Sequence, residues 1–162
     1  MSWQKLNNFE LQALRKLLYL DVSEAAEFVG KVANRTWQYW ESGRSQVPKD
    51  IDYEMYGLLS QRNQLIDETL LETHEQGDVG VLKCYHTFDA FVVDYPHCTK
   101  LMWRLHQSVL AHFFAEGGEV GLEADIPVNK ESYIYKWFNG LTEQQIEDAK
   151  VQEIFRRKGI VD

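Results

Sequence analysis

The strongest constraint on the fold is a corner signature, Ala26-x3-Gly30, then a short turn, then Trp37-x2-Trp40-Glu41-x-Gly43. Small Ala26 lets one helix touch the next, and Gly30 permits a tight turn. Trp37 and Trp40 stand three residues apart, on one face of a helix, where they fill a core. The spacing predicts a helix from Asn34 to Ser42 ended by Gly43, with Arg35, Gln38 and Tyr39 turned outward. The N-cap of this helix is Ala33 or Asn34. Before it, Asp21 caps a short helix through Val29 that carries Ala25 and Ala26, Gly30 ends that helix as a left-handed cap, and Lys31-Val32-Ala33 form the turn.

The surrounding pattern is also helical. Leu11, Leu14, Leu17 and Leu18 recur at helical spacing from Phe9 to Leu20, with Asn8 as N-cap. Pro48 suits a first turn, and Ile51, Met55, Leu58, Leu59, Leu65, Ile66 and Leu70 mark a long amphipathic helix to about Gln76. Gly77-Asp78-Val79-Gly80 breaks it. Val81 to His86 alternates as a strand does, Thr87 caps a short helix over Phe88 to Asp94, and Tyr95-Pro96 stops that helix. Lys100 to Ala115 is helical, with Leu101, Leu105, Val109, His112 and Phe113 on one face, and Gly117-Gly118 ends it. The tail holds an extended stretch around Val120 to Val128, a helix through Tyr133 to Asn139, and a last helix near Thr142 to Arg157, where Thr142 and Gln145 have capping-box spacing.

The 162 residues suffice for one compact unit or two small ones, and 44% hydrophobic residues suffice for a packed core. No stretch of about 18 apolar residues and no signal-peptide h-region occurs, so a soluble cytoplasmic protein is expected, without a membrane partner. Cys84 and Cys98 are expected to be reduced thiols. The net charge of -8 is unevenly spread: residues 1–50 carry +1 and the remainder -9. That asymmetry fits a near-neutral head presented to nucleic acid and an acidic body turned away, with affinity that fades as salt rises.

The run from Leu14 to Pro48 resembles the five-helix DNA-binding domain of lambda-type phage repressors. FELQALR at 9–15, W-x2-W-E-x-G followed by Val47-Pro48, FVVDYP at 91–96 and W-x3-QSV-x-A at 103–111 together resemble the YdiL-like family of small bacterial proteins, which includes anti-CRISPR-associated repressors. The turn is one residue longer than the commonest version, and the tail from Glu119 onward departs from the shorter family members. The resemblance implies a mainly α protein with an N-terminal lambda-repressor-like helix-turn-helix domain, a small α+β C-terminal dimerisation region and a helical tail. Residues 1–76 then bind DNA, 77–118 pair two copies and 119–162 form an extension. It also implies a homodimeric repressor on an inverted repeat, of its own operon by analogy, and RNA as a further partner of some members.

Carried onto this chain, Asn34, Arg35, Gln38 and Tyr39 face base edges: Asn34 and Gln38 match adenine, Arg35 forks onto guanine and Tyr39 meets a thymine methyl or a phosphate. Gln12, Ser23, Lys31, Thr36 and Arg44 contact the DNA backbone. Ala26, Gly30, Trp37, Trp40 and Gly43 form the structural core of the motif. Wedging of bases by the two indoles is disfavoured against a core role, and Glu41 is expected to hold the helix end rather than act as a catalytic acid.

Other chemistry is weakly signalled. Cys84, His86, His97 and Cys98 have ligand chemistry, but neither pair has the C-x2-C form, and a buried thiol with surface imidazoles is the favoured reading. His106 and His112 are read as core or surface histidines. No nucleophile-base spacing, G-x-G-x2-G or phosphate-cradling loop is present, so neither an enzyme nor a cofactor is expected. Two alternatives stand beside the regulator. One is an antitoxin whose acidic tail neutralises a basic toxin protein. The other is a small-molecule sensor or enzyme that uses Tyr133, Tyr135, Trp137 and Phe138 as a pocket, although a helix packed over the core is the preferred reading of those aromatics.

Overall fold

A computed structural model of the chain describes the backbone of residues 5–76, 80–117 and 120–140, and the side chains of these except 70–76 and 117. The expected last helix from Thr142 to Arg157, and the breaks at Gly77-Asp78-Val79 and Gly118, lie outside the described residues. The chain is mainly helical with a small two-stranded sheet, as expected. It divides into two compact units, with the boundary between Gln61 and Arg62 inside a long helix. No helix among the described residues is long and apolar enough to cross a membrane.

The first unit begins with α1 (Asn8–Leu17). Its cap is Asn7 rather than Asn8: the Asn7 side chain accepts from the Glu10 amide and Glu10 answers to the Asn7 amide, closing a capping box. Asn8 is thereby freed to donate from Nδ2 to the Glu41 carbonyl. The helix stops three residues earlier than the leucine spacing suggests, because Tyr19 adopts a left-handed backbone (φ 66°) and the Leu20 amide turns back to the Arg15 carbonyl. Leu11, Leu14, Leu18 and Leu20 are therefore buried, while Leu17 faces outward.

Asp21 caps α2 (Val22–Glu24) in a second capping box with Glu24. The helix then widens into a π-helical stretch over Ala25–Gly30, and the extra residue seen in the sequence is taken up in this wide turn rather than in the loop. The left-handed residue is Lys31 (φ 56°), not Gly30. Gly30 is required for a different reason: a Cβ there would lie 2.9 Å from Val32 Cγ2 and 3.1 Å from the Trp37 ring. α3 (Asn34–Ser42) follows from Ala33 and ends at Gly43, whose φ of 83° favours glycine. α4 (Lys49–Gln76) starts after Pro48 and contributes Ile51, Met55, Tyr56 and Leu58 to the core of this unit.

The second unit runs from Arg62. Its strands are shorter than the alternation suggests: β1 (Val81–Lys83) pairs in parallel with β2 (Gly121–Glu123), in the register Leu82 to Leu122. β1 thus has a partner in its own chain. Parallel pairing needs a crossover, and α5 (Phe88–Asp94) and α6 (Lys100–Gly117) supply it. Thr87 caps α5 as expected. The core gathers Tyr85, Phe91, Tyr95, Leu105, His106, Val109 and Phe113, and α7 (Tyr133–Gly140) adds Ile134 and Phe138. Of His106 and His112 it is His106 that is buried, and burial pushes its pKa down to about 3, so the ring is neutral.

The corner geometry sets opposite outcomes for adjacent residues. Gly30→Ala should destabilise the chain by about 1–3 kcal/mol through overpacking against Trp37. Lys31→Gly should stabilise it by about 1 kcal/mol, because a left-handed backbone disfavours any side chain. Urea unfolding followed by circular dichroism checks both, and a stable Gly30→Ala variant would overturn the assigned close approach.

Candidate nucleic-acid interface

α3 has two sides of opposite character. Successive residues turn by about 100° around a helix axis, so Asn34, Arg35, Gln38 and Tyr39 occupy one arc and Trp37, Trp40 and Glu41 another. Asn34, Arg35 and Gln38 are exposed and Tyr39 and Thr36 half-exposed, whereas Trp37 is wholly buried and Trp40 nearly so. The two indoles touch, with ring centroids 5.4 Å apart and planes tilted by 59°. A wedge between bases requires a free ring, and neither indole is free.

The buried side is held by an ion pair. Arg15 in α1 donates to both carboxylate oxygens of Glu41, at 2.6 Å from Nε and 3.0 Å from Nη2, and its Nη1 reaches the Leu20 carbonyl at 2.9 Å. Trp37 Nε1 donates to the same carboxylate at 2.5 Å. Both charged side chains are nearly sealed from water, at 10% and 7% exposure. Burial pushes the Glu41 pKa up, but the hydrogen bonds from Arg15 and Trp37 and the guanidinium charge outweigh burial and hold it below its ordinary value. Glu41 is therefore a structural anion, as the sequence reading expected, with a partner 26 residues away that no local pattern announces.

The other residues assigned to this surface are dispersed around it. Ser23, Lys31 and Arg44 are exposed. Arg44 lies over the Tyr39 ring, 4.5 Å from its centroid, and pre-orders both side chains. Gln12 is half-buried and lies near enough to the Glu41 carboxylate to help lower its pKa, so it belongs to the support beneath α3 as well as to the surface. The Gly43 backbone packs against Asn8, where a Cβ would meet Nδ2 at 3.3 Å. Ala26 is fully buried. Sequence reasoning missed one property of the α3 start: Ala33 offers no side-chain acceptor to the first amides, whereas α1, α2 and α5 each have a capping side chain. An alanine at an N-cap position is the legible sign of it.

The remaining candidates lie in the second unit. Cys84 is a half-buried free thiol, and Cys98 is buried and donates from Sγ to the Phe138 carbonyl at 3.4 Å. His86 and His97 are exposed. Of the tail aromatics, Phe138 is core, while Tyr133, Tyr135 and Trp137 are half-buried around it.

The Aca2/YdiL-like family model matches residues 6–122. The chain belongs to that family. It is similar to the Aca2 repressor of Pectobacterium phage ZF40, at 48% identity over 115 residues, covering 69% of this chain and 96% of that protein. It is also similar to the uncharacterized protein YdiL of Escherichia coli (strain K12), at 23% identity over 111 residues, covering 68% of this chain and 94% of that protein.

Because Arg15 stays buried when its partner is removed, Glu41→Gln should cost about 3 kcal/mol in urea unfolding. The pH dependence follows from the lowered pKa. Stability from Glu41 is fully present above its unfolded value of 4.5 and is lost as pH falls through its lower folded value. A wild-type acid-unfolding curve no steeper than that of Glu41→Gln below pH 4.5 would refute this.

Proposed function

We propose that the chain is a sequence-specific DNA-binding transcriptional regulator, a homodimeric repressor that occupies an inverted repeat in its own promoter. On this reading residues 21–43 act as a helix-turn-helix, with α3 as the helix that enters the major groove. The observation that carries the proposal is the two-sided α3, whose polar arc of Asn34, Arg35 and Gln38 is exposed while its opposite arc is locked to α1 by the Arg15–Glu41 pair. A reader of base edges needs side chains with paired donors and acceptors on a rigid support, and these residue types supply both forks and amides. The similarity to a protein named a repressor supports the regulatory assignment.

The uncapped start of α3 supports the same orientation. Amides that no side chain satisfies are an anion site when the neighbouring side chains are cationic or neutral, and Lys31 and Arg35 flank this one. Lys31, Arg44, Ser23 and Thr36 position the DNA backbone, and Gln12 contributes through its hold on Glu41. Residues 77–118 pair two copies. Two-fold pairing sets the α3 helices about 34 Å apart, in successive major grooves, so the preferred site is an imperfect palindrome. A regulator without catalysis, working in the cytoplasm, follows from this reading.

A binding titration against the gene's own upstream DNA at two salt concentrations tests the assignment. Arg35→Ala and Gln38→Ala should each lose about 1–3 kcal/mol, concentrated at particular base positions, whereas Lys31→Ala should weaken all sequences alike and lower the salt slope by about 1. Unaltered binding by both α3 variants would remove α3 as the reader. A separate substitution isolates the helix start: Ala33→Asp should raise stability by about 1 kcal/mol as an N-cap and yet weaken DNA binding through its charge. Tighter binding by that variant in a fluorescence-anisotropy titration would refute the proposed approach of phosphate.

A further inference from the structure

The family-matched segment ends at residue 122, and the matches take in nearly the whole of both relatives, so α7 lies beyond what they share with this chain. In the second unit, however, it completes the core. Phe138 is 1% exposed and meets three rings outside α7: His106 at 5.2 Å, Tyr95 at 5.9 Å and Phe91 at 6.2 Å between centroids. Ile134 is buried beside it, the Phe138 carbonyl accepts from the Cys98 thiol, and the Tyr133 hydroxyl bonds the Glu68 carboxylate. The tether is different in character, since none of residues 124–133 is buried.

We propose that α7 is a detachable, acid-released cap, seated in cis over an aromatic groove of the second unit and able to leave as a unit while the rest of that unit stays folded. Three features carry the inference. The hold comes from one short helix, with Ile134 and Phe138 buried, Tyr135 against the Tyr95 ring and the Tyr133 hydroxyl on Glu68, and such an element opens at lower free energy than the core on which it sits. The tether lets the helix move without disturbing β2. The groove also contains an ionisable ring that only the closed state keeps neutral.

That ring is His106. The groups around it are Tyr85 beyond β1, Phe91 and Tyr95 from α5, and Phe138 from α7. Tyr85 and Tyr95 are the titratable ones, and burial raises both their pKa values, so they stay neutral through the acid range. Tyr85 in turn donates to Asp94, which Lys83 pairs at 3.0 Å. The closed state holds His106 down at about 3. Release of Phe138 returns the ring toward the ordinary value near 6.5. The open form thus binds a proton that the closed form refuses, and opening grows as pH falls below about 6.5.

Cys98 reports the opening. It lies under α7, burial pushes its thiol up to about 11, and half-buried Cys84 is an internal reference. The full chain is treated with 4,4′-dithiodipyridine, which reacts in acid as well as at neutral pH, and the rate at Cys98 is divided by that at Cys84. The ratio should rise about tenfold from pH 7.5 to 5.5, with a urea dependence shallower than that of global unfolding. In Phe138→Ala it should rise at least about tenfold at neutral pH, with helix content retained. A ratio that is flat with pH overturns the proposal. So does Cys98 modification that follows global unfolding in urea, protection that survives in Phe138→Ala, or loss of the folded second unit in that variant.

Discussion

The buried pair of Arg15 and Glu41 sets the shape of the first unit. An ion pair taken out of water gains little net stability over an apolar pair of the same size, because the desolvation of both charges offsets their attraction. Its value here is geometric. A bidentate fork accepts one orientation, the Trp37 N–H takes up one of the same oxygens, and the third guanidinium nitrogen closes on the Leu20 carbonyl. Any slip or rotation of α3 against α1 would strand one of these donors in a dry interior. The same bond that fixes Trp37 inward therefore fixes Arg35 and Gln38 outward, and the exposed arc inherits the precision of the core.

The corner between α2 and α3 shows how backbone and side chain divide this work. Gly30 allows contact with Trp37, and the turn it leaves unmade falls to Lys31, which holds a left-handed backbone despite its side chain. Tyr19 does the same at the end of α1. Both are exposed, and glycine would suit either position better on local grounds. On the proposed reading Lys31 has a reason to stay lysine, since a cation at this corner stands beside the open amides of α3. The stability lost at the turn is then a consequence of function rather than an error of folding.

Much of this was legible in the sequence, and the limits have physical causes. The start and end of α3, the buried indoles and the structural role of Glu41 follow from spacing, because a 3.6-residue period maps sequence onto faces directly. The caps of α2 and α5 at Asp21 and Thr87 were legible for the same local reason. Asn7 and Asn8 are chemically alike as caps, and only Glu10, three residues after Asn7, separates them. Gly30 was assigned the wrong job because a glycine needed for clearance and one needed for φ look identical in sequence. The partners of Arg15 and β1 were invisible: one lies 26 residues away and the other about 40, and no local period encodes a long-range pair. In the surface set the exposure of Asn34, Arg35 and Gln38 was readable, while the hold of Gln12 on Glu41 was not.

Charge connects the two units to the proposed activity. The first 50 residues carry only +1 and the rest -9, so on the proposed reading phosphate attraction is modest and the acidic body opposes indiscriminate adhesion to nucleic acid. A repressor with a weak electrostatic term must draw more of its free energy from base edges, which places the burden on few side chains. Such side chains lose affinity quickly if their support loosens, since a contact displaced by an ångström is largely forfeited. The buried pair under α3 and the stack of Arg44 on Tyr39 both reduce that loosening in the chain by itself. Rigidity beneath the helix and sparing charge on its surface are thus two parts of one arrangement, in which discrimination grows as general affinity declines.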